Sequence, residues 1–233
     1  MKKYRCFLFD IDNTLWNFDQ NAKDCILELL AEKGLTVHIP DPDAFYALYK
    51  KINDLLWIRY EAGEISQTEL RRLRFAQAFE AAHVPYAADF ALDFGETYLE
   101  RMPSKTALMP HAEEVLEYLY SKECPMALVS NGFKQVQYRK VRNSGLEKYF
   151  VRRLFISEEV GYHKPNPKIF AAALTALNAK KYETLMVGDN VVNDIEGAQV
   201  FGIDQFYYNP KGIPYDGRPT FTGDDLRTLM SLA

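Results

Sequence analysis

Residues 7–16 read FLFDIDNTLW, an apolar run that ends abruptly in two aspartates, Asp10 and Asp12, one residue apart. Tyr4 to Phe9 reads as a strand. Four more short apolar runs end in turn residues: MALVSNG (126–132), RLFISEE (153–159), TLMVGDN (184–190) and IDQFYYN (203–209). Runs this short and this continuously apolar fit strands buried on both faces, as in a parallel sheet. Helical periodicity fills the gaps between them. HAEEVLEYLYSKE (111–123) sets Val115, Leu116 and Leu119 at helical spacing, and NPKIFAAALTALNA (166–179) and VNDIEGAQVFG (192–202) read as helices too. Strand alternating with helix predicts an α/β fold: a doubly wound parallel sheet with right-handed crossovers.

One interval is too long for that pattern. The chain from Asp12 to the next strand at Met126 far exceeds a single crossover, since a βαβ unit needs only about 30 residues or a little more. What fills it is helical. Asn21 to Lys33 forms a helix closed by Gly34. FYALYKKINDLL (45–56) places Phe45, Leu48, Tyr49, Ile52, Leu55 and Leu56 on one face. SQTEL (66–70) is a capping-box start, Ser66 with Glu69, ahead of Leu70, Leu73 and Phe79. Phe90 to Arg101 is a fourth helix. Residues 17–104 are therefore expected to be a helical insertion, with 1–16 and 105–233 forming the α/β core. RRLR (71–74) reads as a solvated face, and Trp57 and Tyr60 as packing before a stacking surface for a base. NPKGIPYDGRPTFTGDD (209–225) is a Pro/Gly-rich loop before a short last helix.

Bulk properties narrow the function. In 233 residues, 48% are hydrophobic and 26% charged, ordinary for a globular protein. A net charge of -4 gives no general attraction to nucleic acid or anionic membrane, so neither is an expected partner. An anionic substrate would have to be drawn by local groups. Cys6, Cys25 and Cys124 are scattered, without metal-ligand spacing or a disulfide framework. The opening apolar run is broken by Arg5 and stops at Asp10, too short for a secretory signal, and no window has the apolar length of a membrane span. A cytoplasmic location is expected.

Ligands of open α/β sheets bind at the carboxyl ends of the strands. The residues just past each run form a set: Asp10, Asp12 and Thr14; Ser130, Asn131 and Gly132; Lys164 in GYHKPN; Asp189 and Asp194 in GDNVVND. Taken singly, each has a bland reading: a polar strand exit, a turn, a loop lysine, a helix cap. Together they place four carboxylates in one pocket. Two unit charges about 4 Å apart repel by on the order of 4 kcal/mol at an effective dielectric near 20. A divalent cation and the lysine would offset this, and oxygen-only donors favour a hard ion, Mg²⁺. The Ser130 hydroxyl and the amides of Asn131 and Gly132, at a helix start, are placed to receive a phosphate. A carboxylate beside bound phosphate can attack it to form an aspartyl-phosphate, and the second acid can protonate the leaving oxygen and then activate water.

DIDNT, SNG, KPN and GDNVVND, in that order, resemble the haloacid dehalogenase (HAD) superfamily of phosphohydrolases. The resemblance implies Asp10 as nucleophile and Asp12 as general acid/base, with the Asp12 backbone carbonyl also on Mg²⁺. It implies Ser130 and Lys164 as phosphoryl holders, with Lys164 steadying Asp10, and Asp189 as direct metal ligand. Asp194 would orient waters or the lysine from a second layer. The helical insertion resembles the small cap of this superfamily, which favours small phosphorylated metabolites. LWIRYEAGEIS with LRF, then NGF, ISEEVGYHKPNPKIF and MVGDN, look like the pyrimidine 5'-nucleotidases. The competing expectations are a sugar-phosphate phosphatase, a phosphoglucomutase-like enzyme and, more remotely, a phospho-accepting receiver module. Haloacid dehalogenases proper fit less well, because they need neither a metal nor an acid at the position of Asp12.

Overall fold

The first strand, β1 (Cys6–Phe9), is buried along its whole length. In the computed structural model, which describes residues 2–86 and 89–233, it lies inside a six-stranded sheet ordered β3-β2-β1-β4-β5-β6. The others are β2 (Met126–Ser130), β3 (Leu154–Ile156), β4 (Thr184–Gly188), β5 (Asp204–Tyr208) and β6 (Phe221–Gly223). Every pairing is parallel; Phe7 lies opposite Met126 on one side and Leu185 on the other. With a neighbour on both edges and a helix layer over its face, β1 has no wet surface, which explains its unbroken apolar run. On that face Cys6, Leu8, Ala127, Val129 and Met186 pack with Ile169, Phe170, Ala173 and Leu174. The last four come from α8 (Pro167–Leu177), which starts at Asn166, whose side chain accepts from the Lys168 amide. Another helix, α5 (Ala112–Ser121), buries Ala112, Val115, Leu116 and Leu119. The chain leaves β1 for β2 on one side and reaches β4 on the other. The strand order therefore reverses beside β1, where a crevice opens at the carboxyl ends.

The chain divides into two compact units. One comprises the described residues up to Phe18 together with Thr106–Ala233; the other is Asp19–Lys105. The second contains most of α1 (Phe18–Glu32), with α2 (Pro42–Glu61), α3 (Gln67–Ala81) and α4 (Phe90–Arg101). Ser66 and Glu69 form the expected capping box at the start of α3. The interior of this unit is aromatic. Phe75 stacks on Tyr49 at 4.7 Å and meets Phe94 and Tyr98 edge-on at 4.8 and 5.2 Å.

Four expectations need correction. RRLR is not uniformly solvated: Arg74 is only 3% exposed. Its guanidinium carbon lies 5.1 Å from the Tyr98 ring centroid and 5.5 Å from that of Phe75, so aromatic faces receive the charge. On α2 the inward line is Phe45, Tyr49, Asn53 and Leu56, with Tyr46 beside it, while Leu55 points out at 55% exposure. Phe45, Tyr49 and Leu56 are covered as expected, but hydrophobicity alone included Leu55 and passed over Asn53, because the helical angle decides which side chain is covered. The loop at 209–225 contains β6, a three-residue edge strand too short to leave a periodic signal. Lastly, 192–202 is not one α-helix. Val191–Glu196 forms a wider π-type turn before α9 (Gly197–Phe201).

Phe75 is fully buried at the hub of the aromatic cluster, so Phe75→Ala should destabilise the protein by about 3–5 kcal/mol. Ser66→Ala removes only a cap and should cost about 1 kcal/mol. Urea unfolding of the two variants tests the ranking, and a Ser66→Ala effect as large as that of Phe75→Ala would contradict it.

Candidate active site

At the end of β1 the chain turns sharply. The amides of Leu15 and Trp16 both donate to the Ile11 carbonyl, at 3.0 and 2.8 Å, and Asn13 takes a positive φ of 57°. Asn is among the few non-glycine residues that accept this conformation readily. The turn sends Asp10 and Asp12 to different partners.

Asp10 is buried and its amide donates to the Val187 carbonyl of β4 at 2.9 Å. Its Oδ1 accepts from Lys164 Nζ at 2.6 Å, and the same ammonium donates to Asp194 Oδ1 at 2.7 Å. Lys164 is 2% exposed and Asp194 is completely buried. The other Asp194 oxygen accepts from the Asn190 amide at 3.0 Å. Thr14 donates from Oγ1 to Asp189 Oδ1 at 3.2 Å. Carboxylate oxygens of Asp10, Asp189 and Asp194 all lie within 4.8 Å of one another.

The backbone makes this gathering possible. The Asn131 side chain clamps Lys164: its Oδ1 accepts from the Lys164 amide at 2.7 Å and its Nδ2 donates to the Lys164 carbonyl at 2.9 Å. Gly188 ends β4 where Asp194 crosses; a Cβ at 188 would stand 2.5 Å from the Asp194 Cβ, which has no freedom to retreat. Gly197 does the same for the loop after Lys164, where a Cβ would stand 2.8 Å from Pro165 Cα. The Lys164–Pro165 peptide is cis.

Charge is the unresolved quantity here. Burial, with Asp194, Asp189 and Asp12 nearby, pushes the Asp10 carboxyl well above the ordinary carboxylate range against the pull of Lys164. Burial and the Asp194 charge push Asp189 up to about 7, although Lys164 and the Thr14 hydroxyl pull the other way. Burial alone would lower the Lys164 ammonium, but Asp10 and Asp194 raise it above its usual value, so it is a fixed cation. One lysine does not neutralise three clustered carboxylates, two of them buried. The oxygen-only donor set, with carboxyls that hold protons for want of positive charge, fits a hard divalent cation.

Asp12 lies on the other side of the turn. Its Oδ1 accepts from Lys140 Nζ at 2.6 Å and its Oδ2 from Gln137 Nε2 at 2.7 Å. Both donors belong to α6 (Lys134–Asn143), the helix that follows SNGF. The Asp12 carboxylate is thus outside the three-carboxylate group. Gln137 Nε2 also donates to Ser130 Oγ at 2.8 Å. The residues expected to cradle a phosphate are hydrogen-bonded as follows. The Gly132 amide donates to Ser130 Oγ at 3.1 Å, and the Asn131 side chain is spent on Lys164. Sequence reasoning missed Lys140 and Gln137 altogether. On a helix as polar as KQVQYRKVRN they read as solvent-facing, and only their spacing of three from each other marks a shared face.

Comparison with known proteins agrees with this geometry. A family model for haloacid dehalogenase-like hydrolases matches residues 4–202. YfnB of Bacillus subtilis is 33% identical over 211 residues, covering 90% of this chain and 86% of YfnB. Its crystal structure, bound to magnesium, superposes with a TM-score of 0.86 at 26% identity, covering 99% of this chain and 98% of that one. Two pyrimidine 5'-nucleotidases are each 30% identical. PynA of Streptococcus pneumoniae matches over 208 residues, covering 89% of this chain and 84% of PynA. YjjG of Escherichia coli matches over 237 residues, covering 99% and 98%. The α/β sheet, the order of the four strand-end motifs and these matches agree: the chain is an enzyme of the haloacid dehalogenase-like hydrolase family.

Proposed function

We propose that the protein is a Mg²⁺-dependent phosphomonoesterase whose preferred substrate is a pyrimidine nucleoside 5'-monophosphate. The observation that carries this reading is the separation of Asp10 from Asp12. One is paired with Lys164 among further carboxylates, and the other is held two residues away by a different cation. A nucleophile and a proton donor with distinct surroundings are what phosphate-ester cleavage through a covalent intermediate requires. Similarity to PynA and YjjG supports the nucleotide as substrate, together with the nucleotidase-like segments at 56–66 and 73–75. Leaving-group choice is assigned to the helical unit on that sequence likeness.

In this mechanism Asp10 attacks phosphorus and carries the phosphoryl group as an acyl phosphate. Lys164 keeps Asp10 aligned and meets the phosphoryl oxygens, with the Ser130 hydroxyl as a further donor. Asp12 gives its proton to the departing nucleoside oxygen and then takes one from the water that hydrolyses the intermediate. Asp10, Asp189 and the Asp12 carbonyl are the groups proposed to hold Mg²⁺, with Asp194 orienting Lys164 and the Asn190 amide from behind. When bound, the ion supplies positive charge that neutralises the carboxylates and the phosphoryl oxygens.

A panel of nucleoside monophosphates and sugar phosphates, assayed with Mg²⁺ and with EDTA, tests the assignment. The highest kcat/KM should fall on a pyrimidine 5'-monophosphate, and EDTA should abolish turnover. A sugar phosphate at the top of the panel would move the assignment to sugar-phosphate phosphatases. Asp10→Asn should lower kcat by at least about 10³-fold and leave no acid-stable trace of phosphoenzyme, because the nucleophile is gone. Retained activity would remove the covalent mechanism.

Metal binding should follow pH in a defined direction. Asp189 has an ordinary value of 3.8 and is pushed up to about 7 in the metal-free fold. The folded state then holds a proton that the unfolded chain has released, so metal-free stability declines as pH rises from about 4 to about 7. Mg²⁺ must displace that proton. Its apparent affinity should therefore rise with pH at least up to about 7, where Asp189 loses its proton. Isothermal titration at several pH values measures this. An affinity independent of pH between 5 and 7, a window set by that same value, would show that Asp189 is not a ligand.

A further inference from the structure

Gln137 and Lys140 are three apart on α6, so their side chains leave the same face. Both are buried, at 0% and 2% exposure. A buried lysine loses its hydration and persists only where specific partners replace it. Here those partners include Asp12 Oδ1, the Trp16 ring, with its centroid 4.5 Å from Nζ, and the Phe18 ring at 5.2 Å. The aromatic faces flank the ammonium and fix where it can sit. Gln137 reaches Asp12 Oδ2 from the other side of the carboxyl group. An independent feature secures that path: a Cβ on residue 132 would stand 2.0 Å from Gln137 Nε2 and 2.9 Å from its Cγ. Glycine at 132 thus provides the space through which the amide passes to Asp12. The φ of Gly132 lies outside the left-handed range, so conformational freedom does not explain the residue, whereas close approach does.

The geometry points to Lys140 and Gln137 as positioning residues for Asp12, which lock the plane of its carboxyl group for proton delivery to the leaving oxygen. This rests on the reading of Asp12 as general acid and base given above. A carboxyl group has about four lone-pair sites on its two oxygens. Lys140 takes one site on Oδ1 and Gln137 one on Oδ2, so rotation about the side chain is blocked while a site remains for the transferred proton. As the Asp10 oxygen bonds to phosphorus, the bond from phosphorus to the ester oxygen breaks, and that oxygen takes the proton from Asp12. The resulting Asp12 carboxylate stays hydrogen-bonded to the Lys140 ammonium and the Gln137 amide. Water then attacks phosphorus, the bond to Asp10 breaks, the water's proton returns to Asp12, and phosphate leaves.

Proton delivery matters for an alkoxide leaving group and hardly for p-nitrophenolate, a weak base that departs unprotonated. Single-turnover phosphoryl transfer, with enzyme in excess and Mg²⁺ present, separates the two. The substrates are uridine 5'-monophosphate (or ribose 5-phosphate, should the nucleotide not turn over) and p-nitrophenyl phosphate. Lys140→Met and Gln137→Met should slow transfer from the alkyl phosphate by on the order of 10²-fold, the scale of general acid catalysis. Each should slow release of p-nitrophenolate by less than about 3-fold, because that step draws on positioning only weakly. Lys140→Arg, which keeps the charge, should recover part of the loss. Gly132→Ala, which displaces the Gln137 amide, should show the same split. Thermal unfolding of each variant identifies any that fails to fold, and the remaining variants then carry the test. Equal slowing on both substrates, or no slowing on the alkyl phosphate, would overturn the proposal. Asp12→Asn in the same assay separates the two layers of the argument. If it also lacks the split, the acid role of Asp12 fails; if it alone shows the split, only the positioning role of Lys140 and Gln137 fails.

Discussion

The ammonium of Lys164, shared between Asp10 at 2.6 Å and Asp194 at 2.7 Å, is the contact on which the rest of the catalytic unit depends. Buried carboxylates repel one another and resist ionisation, and nothing in an apolar sheet relieves that. Lys164 comes from a loop after β3, Asp10 from the end of β1 and Asp194 from the turn after β4. Three elements far apart in sequence are thus tied through one charge. Removing one partner of such a group leaves the others uncompensated, which costs more than the pair itself contributes. The fold therefore commits Asn131 to both backbone groups of Lys164, and glycine at 188 and 197, to hold that one nitrogen in place.

The arrangement is stable yet incomplete in charge. Asp10 and Asp189 both take up protons more readily than free carboxylates do, the first because of burial and then of three acidic neighbours. A site built to be neutral would have more lysines or fewer acids. The residual negative charge, pointed to by oxygen donors alone, is a standing attraction for a hard cation and, through it, for an anionic substrate. A chain with an overall charge of -4 can in this way attract a phosphate locally.

The core fold was legible because burial on both faces leaves a clear mark: five apolar runs, each stopped by polar turn residues, became β1 to β5 of the expected parallel sheet. β6 escaped because three residues on an edge are half wet and carry no period. Asp10, Asp189, Asp194 and Lys164 were legible for a related reason. Strand ends are fixed in space by the sheet, so residues just past them are brought together whatever their separation in sequence. Lys140 and Gln137 were illegible because a helix residue is placed by angle. On a helix with polar residues all round, composition does not reveal which ones turn inward. Arg74 was missed for the same reason, since its ring partners are its neighbour Phe75 on α3 and Tyr98 on α4.

That difference bears on how the two acids of FLFDIDNTLW are told apart. Two carboxylates separated by one residue on an extended strand would point to the same face and share one environment by default. Here the turn at Asn13 ends the strand first, and each acid meets its own lysine: Asp10 meets Lys164 from the loop after β3, Asp12 meets Lys140 from α6. The partners of Lys164 are further carboxylates, so its charge is divided and the site stays open to a cation. Lys140 pairs with the Asp12 carboxylate between two aromatic rings, so its charge is directed at Asp12. Chemically identical side chains acquire different work from the company their lysines keep. Trp16, the last letter of the stretch, belongs to that division: completely buried under Lys140, it is a wall of the acid's setting.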